Sequence, residues 1–109
     1  MRRLSFDQYE FDDPSSEEAL ELVVSSSREI WPLAAFLNLC GASNQVGRPL
    51  PAAWPRWAEV AATVRKRAGI ELPAPEACEV VVLSDDWNDL ELAVVAGQVL
   101  IWYHWWTTA

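Results

Sequence analysis

The chain has 109 residues, 51% of them hydrophobic, and sixteen acids against eight Lys and Arg give it a formal net charge of −8. That length makes one domain, with enough core to fold without staples. The charge argues against nucleic acid and anionic membranes as direct ligands, because phosphate binding needs a basic surface, and it suits a basic protein partner approached by electrostatic steering.

Residues 4–11 mix apolar and polar positions as a short strand does, and Asp12-Asp13-Pro14 breaks it. Ser15 with Glu18 reads as a capping box. Ala19, Leu20, Val23 and Val24 follow at helical spacing, so a helix is expected from about 16 to 26. Trp31-Pro32 opens a second helix, with Leu33, Phe36, Leu37 and Cys40 as its apolar stripe and Gly41 just past its end. Residues 42–53 read as loop. Trp54-Pro55 opens a third helix, in which Trp57, Val60, Ala61 and Val64 recur on one side and Gly69 closes the segment. Arg65, Lys66 and Arg67 fall in its last turn, where cations complement the helix dipole. Trp31, Trp54 and Trp57 are expected in the core.

Leu72-Pro73-Ala74-Pro75 is a stiff linker, and the pattern then changes to strands. Glu79 to Leu83 reads as a buried strand, and Ser84 to Asp89 as a turn rich in residues that bond their own backbone. Leu90, Leu92 and Val94 alternate with Glu91 and Ala93, the pattern of a half-buried strand. Ala96-Gly97 is a tight connection into the aromatic run Val99 to Trp106. As a strand, that run puts Trp102, His104 and Trp106 on one face and Ile101, Tyr103 and Trp105 on the other. Both faces then need covering, so the strand is either central in a sheet or awaits a partner. The expected fold class is α+β, with two or three helices packed on a small antiparallel sheet that ends in a C-terminal β-meander. It forms a single domain over residues 1–109.

Candidate chemistry is sparse. His104 is the one histidine, and Cys40 and Cys78, the two cysteines, sit among apolar neighbours and in no nucleophile motif. No enzyme activity, cofactor or metal is expected. Asp85, Asp86, Asn88 and Asp89 supply oxygen ligands but lack the glycine and the closing glutamate of a calcium loop. The N-terminus has no apolar stretch behind Arg2 and Arg3, and no apolar run approaches about 18 residues. A cytoplasmic protein without a membrane span is therefore expected. The candidate partner-binding residues are Asp85, Asp86, Trp87 and Asp89, an indole inside an acidic rim, together with Trp105 and Trp106.

Small size, acidity, the turn Asp85 to Asp89 and the closing segment Tyr103-His104-Trp105-Trp106-Thr107-Thr108-Ala109 are similar in general character to the small acidic immunity proteins of bacterial polymorphic toxin systems. The resemblance implies a non-catalytic inhibitor, an immunity protein or antitoxin, that occupies a basic or nucleic-acid-handling partner. It assigns no role to any single residue. A phage-encoded inhibitor of a host defence enzyme carries the same features. The alternative from another class is a small enzyme or ligand-binding domain with an aromatic pocket around His104. Self-association is left open by the sequence.

Overall fold

The computed structural model describes residues 1–42 and 47–108. Within the loop expected over 42–53, residues 43–46 lie outside the described residues, as does Ala109. Six strands, β1 (Arg2–Phe6), β2 (Glu18–Ser26), β3 (Arg48–Pro49), β4 (Glu79–Asp86), β5 (Asp89–Ala96) and β6 (Val99–Thr107), form one sheet in the order β1-β2-β6-β5-β4-β3. Every pair is antiparallel. Helix α1 (Leu33–Cys40) joins β2 to β3, and helix α2 (Trp57–Ala68) joins β3 to β4. The architecture is α+β, as expected, and includes the meander β4-β5-β6.

Each helix covers a different face of the sheet. Val60 and Val64 of α2 pack against Leu20, Leu22, Leu90, Leu92, Val94, Ile101 and Tyr103. Phe36, Leu37 and Cys40 of α1 pack against Val23, Leu83, Ala93, Leu100 and Trp102. Neighbouring residues along β2, β5 and β6 alternate between these two clusters because strand side chains alternate in direction. The aromatic strand β6 is central, between β2 and β5. That position resolves its two apolar faces: one meets α2 and the other meets α1.

The helix expected from about 16 to 26 is the strand β2. Its apolar residues fit both periods, since Ala19, Leu20, Val23 and Val24 also lie on two faces of a strand that is covered on each side. A short apolar run with both faces buried carries no period of its own. The Ser15–Glu18 capping box is absent. Asp13 instead caps a single 3-10 turn, Pro14–Ser16, by accepting from the Ser15 amide at 3.1 Å, and Glu17 takes a left-handed φ of 54°. The Ser16 hydroxyl donates to Glu18 at 2.6 Å. The first strand is shorter than expected, because residues 8–10 form another 3-10 turn capped by Asp7 and Glu10.

Helix α1 starts directly after Pro32, whereas α2 starts at Trp57, two residues beyond the expected Pro55; both stop where the sequence marks them. Gly41 and Gly69 follow them with φ of 78° and 70°. The tryptophans do not behave alike, however. Trp54 and Trp57 are half-buried against the α2-side core. Trp31 is 58% exposed, which corrects its expected place in the core. It precedes the first helical turn, and the indole lies outside, beside Ser27, Val95 and Gly97, while Phe36 and Leu37 fill the interface.

The turn expected over Ser84 to Asp89 shrinks to Trp87-Asn88. A bulge between Val82 and Ser84 resets the register, and the pairs Ser84–Glu91, Asp85–Leu90 and Asp86–Asp89 carry the ladder to the tip. The expected half-buried β5 is buried on both faces, with Glu91 and Ala93 fully inaccessible. Gly97 supplies the left-handed φ of 62° in the last hairpin.

Cys40 and Cys78 are free thiols. Burial between α1 and the sheet pushes the Cys40 thiol up to about 12, and burial also raises half-buried Cys78. Thiolate is the reactive form. Iodoacetamide in mildly alkaline buffer is thus expected to modify Cys78 first and Cys40 only on unfolding, followed by mass spectrometry over time. Equal rates at the two sites would contradict a closed interface at α1.

Candidate protein-binding surface

The α1-side face of the sheet divides into two halves. Register places Arg3, Val23, Trp102, Ala93 and Val81 in one transverse row, and α1 packs on Val23, Ala93 and Trp102. The next row is polar: Ser5, Glu21, His104, Glu91 and Ser84. Beyond it come Ala19, Trp106, Asp89 and Asp86. One face of one sheet therefore passes from an aliphatic interface to an acidic and aromatic surface within two residues of strand.

Glu91 marks the boundary. Its side chain is 0% exposed, and its carboxyl accepts from the Trp102 indole N–H at 2.8 Å. A buried indole needs such an acceptor. Farther along β6, the rings of Trp102, His104 and Trp106 stand in file, with centroids 5.7 Å and 4.7 Å apart. His104 Nε2 lies 3.1 Å from Asp89 Oδ2. Arg3 fixes the other side of the boundary. It donates to Glu21 at 2.6 Å and to the Cys40 carbonyl at 2.8 Å, which places a cation at the C-terminal end of α1. Its guanidinium also lies 5.7 Å from the Trp102 ring centroid.

Accessibility rises toward Trp106. The Glu21 and Asp89 side chains are 31% and 37% exposed, and Asp86 is exposed. Beside them a groove of about 310 Å³ is lined by Ser5, Asp7, Glu10, Ala19, Glu21 and Trp106, among others. Three carboxylates and an indole surround this groove, the groups that charge-assisted bonds and cation–π contacts use, and each carboxylate also holds a partner within the chain: Arg3 for Glu21, the Asp7 amide for Glu10 and the Tyr9 amide for Asp7. His104 lines none of the three described cavities. Its contact with Asp89 orients the ring as in a general base, but among the described residues no hydroxyl or thiol bonds the imidazole. Among these residues, too, no group of three or more His, Cys, Asp or Glu is arranged to hold a metal ion.

The six residues expected to bind a partner are split by the fold. Asp86, Asp89 and Trp106 come together on the acidic half-face. Trp87 caps the hairpin tip beside them and is 75% exposed. Asp85 points the other way, toward α2, where it accepts from Trp54 Nε1 and from Arg56, each at 3.0 Å. Trp105 also faces α2, donating to Glu18 at 3.0 Å. Trp105 and Trp106 therefore cannot share one contact.

Glu21, Arg3 and Asp7 complete the surface, with Glu91 buried behind it, and none of the four is singled out from the sequence. The alternation of β6 was the available signal, since His104 predicts polar neighbours on its face of whichever strands flank it. The helix expected from about 16 to 26 conceals Glu21.

No protein-family model, no curated protein and no solved structure matches the chain. Among the described residues, no helix is long and apolar enough to cross a membrane.

Proposed function

We propose that the protein is a non-catalytic binding module that docks a basic protein and masks its functional surface, as an immunity protein or antitoxin does. The observation that carries this reading is the groove framed by Asp7, Glu10, Glu21 and Trp106 and continued by Asp89 and Asp86. A protein that handles nucleic acid exposes Arg and Lys where phosphates sit, and this surface offers carboxylates and an indole to those same side chains. The net charge of −8 adds long-range steering to the local fit. An inhibitor carried by a phage would use the surface identically.

Paired affinity capture from the source cell tests the proposal. One bait is the wild-type protein, and the other carries Glu21→Gln, Asp86→Asn and Asp89→Asn, which keep size and hydrogen-bonding capacity while removing charge. A basic protein retained by the first bait and lost from the second at about 0.15 M salt is the expected result. Equal retention by the two baits, or capture of acidic partners alone, overturns it. The His104–Asp89 contact favours a second reading, a small hydrolytic or ligand-binding site. A turnover by purified protein that His104→Ala abolishes would establish that reading in place of the first.

A further inference from the structure

Arg65, Lys66 and Arg67 close α2 and look interchangeable as cations at a helix end, but the fold treats them differently. The Arg65 side chain is 62% exposed, 4.0 Å from Glu71, and Lys66 is exposed. Arg67 is half-buried. Its guanidinium stands 4.6 Å from the Phe6 ring centroid and 5.4 Å from that of Phe11, and it donates to the Glu10 carbonyl. A planar guanidinium with several donors can meet rings and bond a carbonyl at once, which suits Arg and not Lys.

All three contacts fall on the connection from β1 to β2, the stretch that frames the acidic groove. Phe6 ends β1, and Phe6, Asp7 and Glu10 line the groove. Between Phe6 and Phe11 the chain makes a single 3-10 turn, Gln8–Glu10, in which no residue is buried. Asp7 and Glu10 each use one carboxylate oxygen to close its capping box. One turn held by its own caps gains little from local bonds, so its place on the sheet is set by what it is tied to. Arg67 ties it to α2, a helix anchored by fully buried Val60 and Val64. Arg2 makes a matching tie at the start of β1, donating to the Ala68 carbonyl at 3.0 Å.

The geometry points to Arg67 as the positioning residue of the acidic groove: it clamps Phe6, Glu10 and Phe11, and so holds the Asp7 and Glu10 carboxylates at the rim without lining the groove itself. The role rests on the groove being a docking site for a basic partner.

The charge of Arg67 gives the test a sign. Arg67→Met keeps an unbranched stem on the helix and removes the cation, so the chain becomes more negative than −8. Long-range attraction alone would then hold a basic ligand more tightly, whereas loss of the clamp would hold it less tightly. Lys66→Met makes the same change of charge at an exposed side chain and is the control. The probe is a hexa-arginine peptide in low-salt buffer, titrated by calorimetry into the wild type, the two variants and Glu21→Gln. Nitrogen-15 relaxation follows residues 7–11, and urea midpoints show that each variant is folded. Arg67→Met is expected to bind the peptide about threefold or more weakly, the scale on which residues away from a ligand act, and Lys66→Met as tightly as the wild type or more so. Order parameters over residues 7–11 are expected to fall from about 0.85 toward about 0.6 in Arg67→Met alone. Equal or tighter binding by Arg67→Met, or order parameters unchanged in it, overturns the role of Arg67. A wild type that does not bind the peptide, or binds it equally after Glu21→Gln, overturns the groove as the docking site instead, and the relaxation data still decide whether Arg67 holds the turn. If Arg67→Met does not fold, Arg67→Lys takes its place: the charge is kept and the fork is lost, so weaker binding with a looser turn supports the clamp, and wild-type values reject it.

Discussion

Replacing Trp106 with alanine is expected to weaken partner binding by about thirtyfold or more, the loss of about 2 kcal/mol that marks a central interface anchor. Trp106 stands at the wall of the acidic groove with its ring against His104, and it is half-buried, so it offers a broad, already ordered surface. Trp105 is the internal control. It is adjacent in sequence but packs against the α2-side core, bonds Glu18, and has the Arg56 guanidinium 5.8 Å from its ring centroid. Trp105→Ala is therefore expected to cost about 2 kcal/mol or more of stability, the price of a core truncation at a half-buried site, with affinity nearly unchanged once folding is allowed for. Calorimetric affinities and urea midpoints of the two variants check the pair. The reverse pattern would move the binding surface to the other face of the sheet.

Glu91→Ala is expected to destabilise the fold by about 2–4 kcal/mol, a large fraction of a normal domain's stability. It removes the acceptor of the buried Trp102 N–H and opens space where side chains were fully inaccessible. Trp102→Phe leaves the carboxyl without that donor and is expected to cost about as much. The two changes act on one bond, so Glu91→Ala with Trp102→Phe should cost less than the sum of the single variants. Chemical denaturation of the four proteins in the cycle measures the coupling. Strict additivity would show that the bond does not hold the boundary of the two half-faces together.

The helices α1 and α2, the glycines that close them and the closing meander are legible because their signals are local. Pro32 and Gly41, or Gly69 after Arg65-Lys66-Arg67, state where a helix begins or ends whatever surrounds it. The alternation of Trp102, His104 and Trp106 fixed their common face before the neighbours of β6 were known. What stayed hidden depends on neighbours. Residues 18–26 became a strand because β1 and β6 flank them, and no local residue announces that. Asp85 and Asp86 look equivalent in sequence, yet a bulge and a one-residue alternation send the first to Arg56 and leave the second exposed. The acidic surface is assembled from β2, β4, β5, β6 and the turn after β1, so it exists only once the register does.

The central position of β6 has a consequence for synthesis. When residues 1–98 have emerged from a ribosome, β1 and β2 can pair, as can β3, β4 and β5, but nothing joins the two groups. The inner edges of β2 and β5, which later take both sides of β6, stand open and apolar at that stage, and such edges are the ones that aggregate or attract chaperones. Ser26 waits for Val99 and Glu18 for Thr107. Closure of these distant pairs is intrinsically slow. The sheet is thus completed only once β6 is available, and a peptide of residues 99–107 supplied in trans has a ready-made slot to fill.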